Sequence, residues 1–81
     1  MRFVYMVRCN DNSLYTWITN DLEKRISDHN HSKTWAKYTH ARRPVTLVWQ
    51  KRTVNKKTAS KKEFKIKKLL KQEKEDLVAL W

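Results

Sequence analysis

The sequence predicts an α+β fold with its elements in the order β-β-α-β-α-α. Segments rich in β-branched and aromatic residues occur at 2–8, 14–19 and 45–50, and each has the length of a strand. Apolar residues recur at helical spacing after the second segment and again after the third. Because the chain has 81 residues, we expect a single domain over residues 1–81 with a small core.

The first two strands are predicted to form a β-hairpin. The segment between them contains four turn-forming residues in a row, Asn10, Asp11, Asn12 and Ser13. An even register would place four side chains on one face of the hairpin, those of Tyr5, Val7, Tyr15 and Trp17. Tyrosines at such positions usually pack in a core, so packing and function are both open interpretations for Tyr5 and Tyr15.

The first helix is predicted to begin near Asn20, which together with Glu23 resembles a capping box. A stripe follows at positions i, i+4 and i+7, formed by Leu22, Ile26 and His29. Arg25 borders this stripe one turn before His29. Its side chain could serve a site there or extend into solvent.

A basic loop is predicted over residues 31–43. It interleaves cationic and aromatic side chains, a combination that suits phosphates and bases. The candidate nucleic-acid contacts in this loop are Lys33, Lys37, Tyr38, Arg42 and Arg43.

The helix predicted over 56–70 carries an acid on its apolar face. The residues that share this face by spacing are Ala59, Glu63, Ile66 and Leu70. An ionised carboxylate that faces a core must be paired or must bind a cation. Glu63 is therefore expected either to pair with Lys67 or the nearby Lys62, or to hold a metal ion. A short last helix is predicted over 72–80.

The charge is strongly uneven along the chain. The whole sequence has 19 Lys and Arg against 8 Asp and Glu, a net charge of +11. Residues 1–32 are neutral, whereas residues 33–74 hold 15 basic and 2 acidic side chains, a net +13. This surplus indicates a polyanionic partner, nucleic acid first.

Several classes of protein are excluded or disfavoured. No apolar run approaches the ~18 residues of a membrane span, and the N-terminus lacks the features of a signal peptide. The lone Cys9 cannot form an internal disulfide or a Cys-rich zinc site, and the three histidines lack zinc-ligand spacing. We therefore expect a cytoplasmic protein that needs neither a membrane nor an organic cofactor.

Two tyrosines, an arginine and a carboxylate in basic surroundings suit the cleavage of a phosphodiester bond. A carboxylate can hold Mg²⁺ while water fills most of the coordination shell. An arginine offers a forked donor to the phosphate, and a tyrosine can orient or deprotonate the attacking water.

The order of motifs resembles the short, single-domain branch of the GIY-YIG endonucleases. The first two motifs, commonly V-Y-I and Y-T-G in this branch, are matched by Val4-Tyr5-Met6 and Tyr15-Thr16-Trp17. Further matches follow in order and without gaps at 19–25, 29–30, 36–39, 42–45 and 62–69. The resemblance thus covers nearly the whole chain.

This resemblance implies a three-stranded antiparallel sheet flanked by helices, and a metal-dependent endonuclease that hydrolyses phosphodiester bonds. DNA is the expected substrate, and RNA stays an open alternative. By position, Tyr5 and Tyr15 are the motif tyrosines, one of which would activate water. Arg25 matches the catalytic arginine, and His29 matches a histidine at the site. Glu63 matches the glutamate that binds Mg²⁺ or Mn²⁺.

The chain departs from this family by having no glycine at all. Trp17 stands where the second motif has glycine, and we expect its indole to crowd the site and to impair cleavage. Positive-φ positions must then use residues such as Asn, Asp, Ser or Lys. Two origins are open: codons read as Trp that specify glycine in the source, and deliberate replacement of glycine.

Two other functions are open on the sequence. The first is a non-catalytic nucleic-acid-binding module on the same fold, with cleavage ended by Trp17. The second is a ribosome-associated or scaffolding protein that uses only its Lys-rich helix.

Overall fold

The computed structural model describes residues 1–31 and 41–81. Within them lie three strands and three helices in the predicted order. They are β1 (Arg2–Arg8), β2 (Leu14–Thr19), α1 (Leu22–His31), β3 (Thr46–Thr53), α2 (Lys56–Lys67) and α3 (Lys71–Leu80). The predicted α+β class is confirmed.

The sheet is antiparallel, with β1 between β2 and β3. Tyr5 pairs with Trp17 and Val7 pairs with Tyr15, so the even register of the hairpin is confirmed. On the other side of β1, Met6 pairs with Trp49 and Val7 with Leu47. Val48 is therefore the extra residue of a β-bulge.

The hairpin turn is built without glycine. Asn12 takes φ of 70°, a left-handed conformation that Asn tolerates better than most residues. The Asn12 N–H donates to the Cys9 carbonyl over 2.9 Å, and Asp11 Oδ1 accepts a hydrogen bond from the Ser13 N–H over 3.1 Å. The expectation that an Asn-type residue would serve at positive φ is confirmed here.

The ends of several elements differ from the prediction. Helix α1 is capped by Asp21 rather than Asn20, because Asp21 Oδ1 accepts from the Lys24 N–H over 3.1 Å. Strand β3 continues to Thr53, since it pairs with β1 as far as Arg2. Helix α2 ends at Lys67 rather than at residue 70, and Leu70 is 72% exposed instead of joining the apolar face.

Two apolar clusters lie on opposite faces of the sheet. On one face α1 packs through Leu22 and Ile26 against a cluster composed of Tyr5, Val7, Cys9 and Val45. On the other face the cluster comprises Val4, Met6, Trp49, Ala59 and Ile66, so α2 covers this side, joined by Leu77 and Val78 of α3. The sheet is thus the middle of three layers.

Helix α3 is fastened to the hairpin by polar contacts. The Arg8 guanidinium donates two hydrogen bonds to the Glu75 carboxylate, and Lys71 Nζ donates to the Asn12 carbonyl over 3.2 Å. In the part of the chain that the structure describes, no helix is long and apolar enough to span a membrane.

Candidate active site

The centre of the candidate site is a hydrogen bond between Tyr5 and His29. The Tyr5 hydroxyl lies 3.0 Å from His29 Nε2, and neither residue is exposed to solvent. Tyr5 lies at the middle of the central strand, and His29 lies two turns into α1 on the face that meets the sheet. Nε2 accepts from the phenol when the imidazole proton is on Nδ1.

Burial shifts both groups toward their neutral forms. It raises the pKa of the Tyr5 phenol well above its usual value, and the nearby charge of Arg25 opposes this rise. It lowers the pKa of His29 to about 4, and the adjacent carboxylate of Asp28 opposes that shift. A neutral phenol and a neutral imidazole therefore face each other near neutral pH.

An aromatic cluster covers this pair. The Trp17 ring centroid lies 4.5 Å from that of His29 and 6.3 Å from that of Tyr5. Tyr15 stacks on Trp17 with centroids 5.5 Å apart and ring planes 14° from parallel. Trp17 and Tyr15 are half-buried, so the outer part of the cluster reaches solvent. The predicted placement of Trp17 beside Tyr5 and Tyr15 is confirmed.

Arg25 lies on α1 one turn before His29, and its guanidinium is oriented by Asp28. Arg25 Nη1 is 2.9 Å from Asp28 Oδ2, and Lys24 Nζ approaches the same oxygen at 3.1 Å. The Arg25 side chain remains 31% exposed. This guanidinium can therefore meet a solvent-borne anion while Asp28 holds it in place.

Glu63 approaches from α2, on the other side of the sheet. Its side chain is 20% exposed and pairs with Lys67 Nζ at 3.4 Å, which is the ion pair weighed from the sequence. Its negative charge acts with that of Asp28 to raise the pKa of Tyr5, against the opposing charge of Arg25. Arg25 and Glu63 thus act on the same phenol from helices on opposite faces of the sheet.

The predicted nucleic-acid contacts fall into two groups. Lys33, Lys37 and Tyr38 lie outside the described residues. Arg42 Nε is 2.9 Å from Asp11 Oδ2, while Arg43 Nε donates to the His29 carbonyl over 2.6 Å and caps the end of α1. Both arginines therefore hold the fold together, and nucleic-acid contact through them stays a prediction.

The residues present fit a magnesium ion bound through one carboxylate. No cluster of three or more His, Cys, Asp or Glu side chains is placed to hold a metal among residues 1–31 and 41–81. Mg²⁺ does not need such a cluster, because it keeps several waters and takes one or two carboxylates together with substrate phosphate. The half-buried Glu63 carboxylate can supply that ligand if its pairing with Lys67 opens.

Comparison with known proteins identifies the family of the chain. Residues 1–76 match the GIY-YIG catalytic domain. This chain belongs to the GIY-YIG family. Membership indicates a nuclease-like domain that acts on nucleic acid.

The chain is similar to short GIY-YIG proteins named UPF0213. It is 47% identical over 73 residues to the UPF0213 protein YazA of Bacillus subtilis, covering 90% of this chain and 73% of that protein. It is 49% identical over 72 residues to a UPF0213 protein of Staphylococcus haemolyticus, covering 89% and 87%. The solution NMR structure of a UPF0213 protein from Bacillus halodurans matches with a TM-score of 0.63 and 40% identity, covering 99% of this chain and 85% of that one.

Two residues of this GIY-YIG site were given no role from the sequence, although Asn30 belongs to the matched pair at 29–30. One is Asp28, which pairs with Arg25; an i, i+3 spacing between opposite charges was the available signal. The other is Asn30, whose side-chain amide donates to the Val45 carbonyl over 3.1 Å and accepts from the Val45 N–H over 2.7 Å. This pair of bonds fixes the end of α1, and hence His29, relative to the start of β3.

Proposed function

We propose that this GIY-YIG domain is a metal-dependent endonuclease that hydrolyses DNA phosphodiester bonds, with cleavage weakened by Trp17. The observation that carries the proposal is the buried Tyr5–His29 hydrogen bond, with Trp17 and Tyr15 stacked over it. The charges of Arg25 and Glu63 both act on the same phenol.

The two motif tyrosines have different roles in this proposal. Tyr5 is fully buried and its pKa is raised, so it cannot readily lose a proton to solvent or contact a water at the protein surface. Tyr15 is half-buried at the outer side of the cluster. We therefore assign the orientation of the attacking water to Tyr15, whereas Tyr5 is a positioning residue that fixes the ring of His29.

Arg25 binds the scissile phosphate. Its guanidinium is partly exposed and is already held by Asp28, so little further ordering is needed when a phosphate arrives. Its planar, forked guanidinium matches the oxygens of a phosphodiester as the negative charge on them grows.

Glu63 is the protein ligand for the metal. Bound Mg²⁺ would neutralise charge on the phosphate and on the leaving oxygen. Lys67 pairs with the Glu63 carboxylate at 3.4 Å and would have to release it when the ion binds. Glu63 lies between the buried Ala59 and Ile66 along the helix, and its side chain is only 20% exposed.

A second candidate function is nucleic-acid binding without cleavage. The observation that favours it is the indole of Trp17, which lies 4.5 Å from the ring of His29 where the family's second motif has no side chain. A bulky ring there displaces substrate or water, and a displacement of about 1 Å can lower a rate about 10²-fold.

An end-labelled DNA cleavage assay separates the two functions. Duplex, branched and single-stranded substrates are incubated with Mg²⁺ or Mn²⁺ and, in parallel, with EDTA. The proposal expects slow, metal-dependent cleavage that Glu63→Gln abolishes while DNA binding is kept or tightened, because a repelling charge is lost. The matched control is Glu23→Gln, an exposed glutamate of α1, which should leave cleavage unchanged.

Two results would contradict the metal role of Glu63, and a third would contradict the endonuclease itself. Cleavage that persists in EDTA would remove the metal role of Glu63. Cleavage unchanged in Glu63→Gln would do the same. Tight binding with no cleavage of any substrate, also after Trp17→Gly, would favour the binding module.

A further inference from the structure

The outer face of helix α2 forms a basic ridge around an exposed aromatic ring. The residues of this ridge lie at i, i+4, i+7, i+8 and i+11, which is one face of a helix. They are Lys57, Lys61, Phe64, Lys65 and Lys68, the last being the C-cap that follows α2, and every one of them is exposed. The opposite face carries Ala59 and Ile66, which are buried against the sheet. The ridge therefore points away from the protein.

Phe64 is an unusual residue for this place. Its side chain is 60% exposed, although α2 has a buried face that could have held an aromatic ring. Lys68 Nζ lies 4.2 Å from the centre of the ring, a cation–π contact. One face of the ring is thus occupied by an ammonium group.

The lysines of the ridge repel one another. Lys57 and Lys61, and Lys61 and Lys65, are like charges at i, i+4, a spacing that destabilises a helix. Glu63 is the only acid in α2, and it pairs with Lys67 on the side of the helix away from the ridge centre. The ridge lacks acidic neighbours within its own helix, and a bound polyanion would relieve this repulsion.

We propose that the Lys57–Phe64–Lys68 ridge is a binding surface for single-stranded nucleic acid. The four lysines, spread over about 16 Å of helix, contact consecutive phosphates. Phe64 stacks on one unpaired base, a sequence-tolerant contact typical of proteins that bind single strands. Bases inside a duplex are already stacked, so they cannot reach the ring. This is why the ridge favours a single strand.

The ridge is separate from the candidate active site and does not depend on cleavage. Helix α2 covers the face of the sheet opposite to α1, and the ridge lies on the outer side of that helix. A membrane surface fits the ridge less well. Helices that lie on a membrane insert a broad apolar face, but the apolar face of α2 is buried in the core.

The test is binding of a fluorescent 20-nucleotide oligo(dT), followed by anisotropy in EDTA at several salt concentrations, so that cleavage plays no part. We expect Phe64→Ala to weaken binding at least about fivefold, the loss of one stacked base, with the salt slope unchanged. Phe64→Tyr should restore the affinity. The double variant Lys57→Gln, Lys61→Gln should reduce the slope of log K against log salt by about 1.4.

The matched control is the double variant Lys24→Gln, Lys51→Gln, which removes two exposed lysines outside the ridge. We expect a smaller change in slope for this control. The proposal would be overturned if the two double variants had equal slopes of log K against log salt. Full affinity of Phe64→Ala for oligo(dT) would also overturn it. Binding of vesicles made of equal parts phosphatidylcholine and phosphatidylserine, lost in the ridge variants while oligo(dT) binding stays intact, would also overturn it. Circular dichroism checks that every variant is folded.

Discussion

The hydroxyl of Tyr5 and the Nε2 of His29 are 3.0 Å apart, although 24 residues separate them in the chain. Each side chain has no exposed surface, so each would lose a buried partner if the other were removed. This bond ties the central strand to α1, and Trp17 covers it from the neighbouring strand. Several measurable properties depend on it.

The first prediction concerns stability in acid. The pKa of His29 is lowered to about 4 in the folded protein and is 6.5 in the unfolded chain. The unfolded state therefore binds the extra proton first, and the free energy of unfolding should fall as the pH drops from about 6.5 to about 4. The loss is on the order of 3 kcal/mol. Urea unfolding at a series of pH values measures it.

Two variants make this test specific. His29→Gln can still accept the Tyr5 hydrogen bond but cannot be protonated, so its stability should change much less over the same range. His31→Gln removes an exposed histidine of the same helix and should keep the full dependence. A His29→Gln profile identical to that of the parent would remove His29 as the cause.

The second prediction separates the two tyrosines. Tyr15→Phe should lower the cleavage rate about 10²-fold or more with little loss of stability, because it removes the group that orients water. Tyr5→Phe should cost about 1–2 kcal/mol of stability, because it leaves His29 Nε2 without its bond to the phenol. It should also shift the ¹⁵N NMR signals of the His29 ring, which Tyr15→Phe should not. If Tyr5→Phe slowed cleavage and Tyr15→Phe did not, Tyr5 would be the residue that orients water.

The third prediction concerns Arg25. Arg25→Lys should keep the charge near Asp28 but lose the forked donor, and the cleavage rate should fall about 10²–10³-fold. Lys24→Gln is the matched control, since it removes the other cation that pairs with Asp28 and should leave the rate unchanged. If Arg25→Lys cleaves DNA as fast as the parent, Arg25 is only a surface cation.

The fourth prediction concerns Trp17. Trp17→Gly should raise the cleavage rate, because the indole no longer fills the space beside His29 and Tyr15. It should also lower the free energy of unfolding by about 2–4 kcal/mol, through lost packing and a glycine within a strand. Trp17→Ala has a higher strand propensity than Trp17→Gly. If the glycine variant unfolds, the alanine variant should still show a raised cleavage rate. A rate that falls in both variants would show that the ring assists the reaction.

The sequence by itself determined the order of the elements and the faces of the hairpin. Strand and helix patterns have periods of 2 and 3.6 residues. Because these patterns involve only residues close together in the chain, they can be recognised from the sequence alone. The shared face of Tyr5, Tyr15 and Trp17 followed from such a pattern, as did the burial of Ala59 and Ile66. The absence of glycine likewise indicated in advance that a residue such as Asn12 would adopt positive φ.

Only the tertiary structure decided how the candidate site is assembled. The Tyr5–His29 bond depends on the position of α1 against the sheet. Two hydrogen bonds between Asn30 and the backbone of Val45 hold the end of α1 in that position, and Arg43 caps it. It also decided that Tyr5 is fully buried while Tyr15 reaches solvent, which no alternating pattern distinguishes. Contacts between residues this far apart in the chain depend on packing across the whole domain, and local sequence periodicity does not specify that packing.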